Sequence, residues 1–462
     1  MQRNFLISIL AVLLVGLAGS AGAQESQHWV ASWATSPAAY FVYAPPVVPV
    51  APGPPDTYAP ATIQPDLAFP FPDSNQNQAA NQTFRSIVKP DLWSSQMRFR
   101  FSNVFGNAPL TLGAVSVGLQ EYSGNVVKGT LVKVTFGGNA SITIPPGQEI
   151  WSAAAALPFI HGVDDPAIQG RNLAVSYSVK GASGVMTYHA ASNQTSYISA
   201  PGSGDRTMDT DVFAYEFTTT SWFFLDAVDV MAPAGTVLIC AFGDSITDGT
   251  HTTLNENDRW MNGLSRRLHN VYGNRVSIVN EAIGGNRVVN PAVVNATSGP
   301  AATDRLDRDV LGLSGLTHVI WLEGINDLGA SHTADAVIAG YRDVVTRLHA
   351  KGIKVYGGTL TSALGMVNPA EGWNPDRMAT GDNGRRVDQD RKTINTFIRT
   401  SGLFDGVEDF DAATLDPATG NMKAEFVPNS QMTELPWDYL HPNHAGYLAM
   451  AGAVDIAPFR PK

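Results

Sequence analysis

The chain has 462 residues, 44% of them hydrophobic and 15% charged, with 43 Gly, 29 Pro and a single Cys. That length suits about two or three domains with real apolar cores, and the low charge with abundant Gly and Pro excludes a coiled coil or helical bundle. Acids outnumber bases by 41 to 30, for a net charge of -11 without any basic run, which argues against nucleic acid or an anionic membrane as partner. Cys240, being alone, excludes an intrachain disulfide framework and a multi-cysteine zinc site.

The N-terminus reads as an export signal. Arg3 gives a positive start, Leu6 to Ala18 is apolar but short for a bilayer span, and Ala21-Gly22-Ala23 is a small-x-small cleavage pattern. Cleavage near Ala23 leaves a secreted or periplasmic chain beginning at Gln24, with no later membrane span expected.

Residues 24–235 consist of short alternating runs separated by turn residues. Met97 to Phe101, Val115 to Leu119, Leu131 to Phe136 and Leu173 to Val179 read as strands, while Gly137-Gly138-Asn139, Pro145-Pro146-Gly147 and Gly181 to Gly184 read as turns. The expectation is an all-β, sandwich-like domain. Pro45 to Pro72 holds ten prolines in 28 residues, and no Lys or Arg occurs from Gln24 to Ala80. Proline removes amide donors, so this is a long extended insertion, with a lid or recognition loop as the alternative.

Residues 236–462 alternate apolar strands with amphipathic helices. Thr236 to Phe242, Val276 to Val279, His318 to Leu322 and Lys354 to Gly357 are buried-type strands. Thr333 to Ala350 reads as a helix with Val337, Tyr341, Val344, Val345 and Leu348 on one face and Gly352 as its stop. Such alternation implies a parallel sheet covered on both faces, which binds ligands beyond the carboxyl ends of its strands.

The chemistry-bearing residues follow those strands. Gly243-Asp244-Ser245 places a serine on a strand-to-helix turn, expected to be exposed at the top of the sheet; a plain helix cap is the competing reading. In Asp438-Tyr439-Leu440-His441-Pro442-Asn443-His444, Asp438 can hold one imidazole nitrogen of His441 and leave the other to accept a serine proton. A metal site of Asp438, His441 and His444 is the rival, disfavoured because Pro442 sets His441 ahead of a helix start. Gly284-Gly285 permits close backbone approach to a ligand, and Asn326 offers an amide donor, although each also suits an ordinary turn.

Taken together, Gly243-Asp244-Ser245, Gly285, Gly324-Ile325-Asn326-Asp327 and Asp438-x-x-His441 resemble, in order and spacing, the four blocks of the SGNH (GDSL) hydrolases. Trp29 to Pro37 and Phe101 to Gly106 are similar to segments of the subset carrying an N-terminal β domain. The resemblance implies a flavodoxin-like esterase domain over 236–462, with Ser245 as nucleophile, His441 as base and Asp438 as its orienting partner. It implies an oxyanion hole from the Ser245 amide, the Asn326 side chain and a loop amide, assigned to Gly285 over Gly284, with no metal or organic cofactor. Export and the small polar loops Thr247 to Thr250, Gly285 to Arg287 and Asn326-Asp327 suit an acetyl or short-chain ester of a carbohydrate or small molecule. A lipase or broad acylhydrolase with the proline-rich segment as lid, and a non-catalytic carbohydrate-binding protein, are the alternatives.

Overall fold

The computed structural model describes residues 26–40, 78–163, 165–289, 298–330, 332–364, 381–428 and 440–462, with backbone only for 381–385. The signal-type N-terminus, the segment Pro45 to Pro72 and Asp438 lie outside the described residues.

Strands before Pro233 form antiparallel sheets. One runs in the order Gln27–Ala34, Leu225–Pro233, Gln96–Ser102, Glu149–Trp151. A second is built around Ala80–Val88, Leu173–Ala182 and Leu110–Leu119. Their inner faces meet through aromatic rings: Phe101 of the first lies edge-on to Tyr177 of the second, with centroids 5.3 Å apart. A small sheet of Trp222–Phe223, Thr187–His189 and Ala38–Ala39 completes the all-β region. The run Leu131 to Phe136 is a strand only over Val132–Val134. The turn expected from Gly181 starts later, because the strand continues to Ala182 through a register shift opposite Ala80.

After this region the sheet is parallel. Val237–Gly243 (β1), Val276–Ala282 (β2), Leu316–Leu322 (β3), Lys354–Gly358 (β4) and Gly406–Glu408 (β5) stand in the order β2-β1-β3-β4-β5. This is the doubly wound order whose switch point lies beside the first strand. All of β1 is buried, as an uninterrupted apolar run between two neighbours requires. β2 is longer than its apolar stretch suggests: Asn280, Glu281 and Ala282 still pair with Ala241, Phe242 and Gly243, so the loop starts only at Ile283.

Helices cover the sheet. Ala334–His349 has Thr333 as N-cap and buries the expected face, including Val337, Tyr341 and Leu348. The helices Trp260–Tyr272 and His444–Ala453 pack on each other. No described helix is long and apolar enough to cross a membrane.

The two regions share one apolar core, in which buried residues such as Val30 and Phe101 connect with Leu238 and Ile278. Strand Gln27–Ala34 lies along β2, where Ser277 Oγ donates to the Ala31 carbonyl at 2.8 Å. Ser36 is a polar joint between the regions: it accepts from Arg305 Nη1 at 2.8 Å and donates to Glu281 Oε2 at 2.6 Å.

Candidate active site

β1 ends in Gly243, where a Cβ would sit 2.3 Å from the Leu322 carbonyl, so only glycine lets β1 and β3 run this close. Asp244 is the N-cap of the single-turn helix Ser245–Asp248, its Oδ1 accepting from the Ile246 amide at 3.0 Å. Gly249 ends the helix at φ 102°, a conformation that favours glycine. Fully buried Trp260 donates to Thr247 Oγ1 at 3.3 Å and packs on Phe410, which ties this turn to the body of the fold. Ser245 therefore opens a helix rigidly attached at both ends.

His441 comes from the other end of the chain. It precedes the helix His444–Ala453, capped by Asn443 through the Gly446 amide at 3.0 Å. Tyr447 on that helix donates to the Thr250 carbonyl at 2.7 Å, pinning it to the loop after Ser245–Asp248. Ser245 Oγ lies 2.7 Å from His441 Nε2. With His441 protonated at Nδ1, the serine hydroxyl donates to Nε2, the arrangement a general base needs. The ring of His251 stands edge-on to that of His441 at 5.8 Å. His444 turns away and meets Asp258 Oδ2 at 2.9 Å through Nδ1.

The loops that leave the carboxyl ends of β1, β2 and β3 are tied together, the second to the helix that Ser245 begins and the third to the second. In the second, the Gly284 amide donates to Asp248 Oδ2 at 3.0 Å, whereas the amide of Gly285 has no acceptor among the described residues. Gly285 has φ 75°, and a Cβ there would meet Ser298 Oγ at 2.7 Å. In the third, Asn326 stands in the first turn of Ile325–Gly329 and donates from Nδ2 to the Asn286 carbonyl at 3.0 Å. That bond uses one of the two hydrogens an amide nitrogen carries. The Ser245 amide likewise has no acceptor among the described residues, since the capping carboxylate takes Ile246 instead.

Acids are buried beneath these loops. Burial pushes Asp244 up to about 8, helped by the charge of Glu323 and opposed by the Ile246 amide and by His441. Burial pushes Asp327 up to about 7 against the amides of Val288 and Val289, which donate to its carboxylate at 2.9 and 3.1 Å. Glu323 is raised by burial too, opposed by Arg305 at 3.8 Å and by the Trp321 indole at 2.8 Å. Arg305, fully buried, joins these parts: it donates to the Gly243 carbonyl at 3.0 Å, the Glu281 carbonyl at 2.8 Å and Asn286 Oδ1 at 2.8 Å.

Two sequence expectations need correction. Ser245 is 7% exposed, not an open position, with the His441 imidazole against its hydroxyl. The polar loop residues do not all face a substrate: Asp248, Asn286 and Asp327 are buried and bonded within the protein. Sequence reasoning missed Arg305 and His189 and read Asp248 only as a polar loop residue; of their partners only Asp309, four residues after Arg305, leaves a local spacing signal. A cavity of about 70 Å³ at the junction of the two regions is lined by His189 and Asp248 but by neither Ser245 nor His441, so it is separate from this site.

Residues 241–449 match the model of the GDSL-like Lipase/Acylhydrolase family. Comparison with curated proteins finds no match. Solved structures similar to the chain include a carbohydrate acetylesterase, Est24, from Sinorhizobium meliloti, at 15% identity and TM-score 0.35, covering 47% of this chain and 95% of that one. The aryl esterase of M. smegmatis gives the same identity, coverage and TM-score. A GDSL-like lipase from Bacteroides thetaiotaomicron follows at 14% identity and TM-score 0.33, covering 47% of this chain and 85% of that one.

Proposed function

Residues 241–449 belong to the GDSL-like lipase/acylhydrolase family, and from that premise we propose that the chain is an exported serine esterase cleaving carboxylic esters through an acyl-serine intermediate. The observation that carries the reading is the 2.7 Å contact between Ser245 Oγ and His441 Nε2 at the carboxyl end of β1.

In the proposed cycle Ser245 Oγ attacks the ester carbonyl as His441 Nε2 takes its proton. Asp438, three residues before His441, is assigned as the partner of Nδ1. The carbonyl oxygen gains charge within reach of the Ser245 amide, the Gly285 amide and the second hydrogen of Asn326 Nδ2. Fixed donors of this kind stabilise the tetrahedral intermediate by roughly 3 kcal/mol each. His441 returns its proton to the departing alcohol, then activates a water that releases the acid and restores Ser245. No step calls on a metal or organic cofactor.

The proposed substrate is an acetyl or other short acyl ester on a carbohydrate or similar polyol, met outside the cytoplasm after cleavage near Ala23. The export-type N-terminus and the polar, partly exposed rim of Thr250, Arg287 and Asn326 support this choice. A long acyl tail needs a continuous apolar groove, because each buried methylene contributes about 0.8 kcal/mol. The test is kcat/KM of the mature chain on p-nitrophenyl esters from acetate to palmitate and on acetylated glycans. A maximum at acetate to butyrate with release of acetate from glycans is expected. A maximum at long chains, lost on deleting residues 45–72, makes the protein a lipase with a proline-rich lid.

A further inference from the structure

His189 lies in the all-β region, on the strand Thr187–His189, yet its side chain reaches the turn that carries Ser245. Its Nδ1 is 3.0 Å from the Ser36 carbonyl and its Nε2 is 3.0 Å from Asp248 Oδ1. A backbone carbonyl and a carboxylate are both acceptors, so both ring nitrogens donate and the imidazole faces Asp248 as a cation. The ring lies against Trp222 at 5.7 Å and is 4% exposed. The other oxygen of Asp248 accepts from the Gly284 amide. One buried carboxylate thus links an imidazole of the β region to the residue before Gly285.

We propose that His189 is a positioning residue for the oxyanion hole, acting through Asp248 on the Gly284-Gly285 loop; this rests on the esterase reading above. The turn is closed by the Asn286 amide on the Ile283 carbonyl at 3.1 Å, but its two central glycines restrain the peptide between them little, so the orientation of the Gly285 amide depends also on an external anchor. Asp248 is that anchor, and it is also the last residue of the helix that Ser245 begins. It would otherwise be free to turn toward buried Arg259, which already donates to the Asp248 carbonyl. Ser192 and Asn193 brace the same place, since Arg259 Nη2 donates to the Ser192 carbonyl at 2.6 Å and Asn193 Nδ2 to the Gly249 carbonyl at 3.0 Å. The β region therefore sets the geometry of a transition-state contact from behind the nucleophile turn.

The test compares His189→Gln, which is long enough to donate to Asp248, with His189→Asn, which is polar but too short, and with Asp248→Ala, each in the full chain. On p-nitrophenyl acetate, His189→Asn and Asp248→Ala are expected to lose roughly 10–100-fold in kcat, the scale of a small misplacement of a reacting contact. KM should stay within about twofold, and His189→Gln should recover most of the rate, because the lost contact acts in the transition state. A pair serving only as packing predicts lower thermal midpoints with kcat unchanged in every folded variant, and that result overturns the proposal. Failure of both disruptive variants to fold overturns it as well, in favour of a structural clamp. A wild-type chain inactive on every ester removes the esterase reading itself, an outcome distinct from an active wild type with unaffected variants.

Discussion

The two regions bury charge in different ways. In the all-β region Arg100 pairs with Asp226 at 2.8 Å between adjacent strands, and Arg85 donates to Ser176 Oγ at 2.8 Å and the Gly124 carbonyl at 2.7 Å. These are cross-strand fasteners, and among the described residues no nucleophile paired with a base stands beside them. In the parallel region Arg305 gathers groups from the ends of β1 and β2 and the loop beyond, with Asp244, Glu323 and Asp327 raised by burial around it. A buried ion is thus a poor marker of function by itself. Convergence of perturbed acids at the carboxyl ends of parallel strands, over a serine-histidine contact, is a far better one.

The sharpest way to break this comparison is Ser245→Ala, which should lower ester turnover by at least about 10⁴-fold, on the scale of nucleophile removal in other serine hydrolases. The thermal midpoint should stay within a few degrees, because the substitution removes one hydroxyl and no core contact. Retained turnover would place the nucleophile elsewhere. Next come the two buried arginines. Arg305→Met and Arg100→Met should each cost about 3–5 kcal/mol in denaturant unfolding, since each strands buried acids. Only Arg305→Met should also depress kcat in the folded fraction; equal effects on kcat would erase the distinction between fastener and site.

Asn326→Ala should lower kcat by about 10²–10³ with KM nearly unchanged, as expected of an oxyanion donor. A large rise in KM with kcat intact would make Asn326 a substrate-binding group. A smaller effect is expected at His444, which is bonded to Asp258: His444→Ala should cost far less than His441→Ala, and activity should survive dialysis against a strong chelator. Reversible loss on chelation would restore the metal reading of Asp438, His441 and His444.

The last prediction concerns the pH dependence of stability, not turnover. Asp244 has an ordinary value of 3.8 and is pushed up to about 8 in the fold. The folded state therefore favours the neutral acid, and the stability this group contributes is full below about pH 4 and declines as pH rises toward 8. Asn copies the neutral acid and keeps an acceptor for the Ile246 amide. The thermal midpoint of Asp244→Asn relative to wild type should rise steadily between those limits, and a constant difference would mean that Asp244 is ionised throughout.

Much of the parallel region could be read from the sequence, because its strands are continuous apolar runs and its helix Ala334–His349 has a clean periodic face. Ser245, Gly285 and Asn326 stand out as short motifs just past those strands and His441 as one ahead of a helix, and the structure brings Ser245 and His441 into contact. The extent of β2 was not legible, since polar Asn280 and Glu281 break the apolar pattern while the backbone still pairs with β1. The burial of Ser245 and the role of Asp248 were hidden for another reason. Their partners, His441 and His189, are 196 and 59 residues distant; the first contact exists only once the parallel region has folded, the second only once the two regions have packed. The polarity of Asn286 and Asp327 suggested contact with a sugar, but buried backbone groups claim both side chains first.

The account turns on the reactivity of one hydroxyl. Incubating the mature chain with a fluorophosphonate and mapping the adduct by mass spectrometry tests it directly, because such reagents trap a serine only where a base and an oxyanion site act together. A single adduct on Ser245, absent from the His441→Ala variant, is the expected result. An unlabelled chain, or an adduct on any other serine, would contradict the assignment of Ser245 and His441 as the catalytic pair.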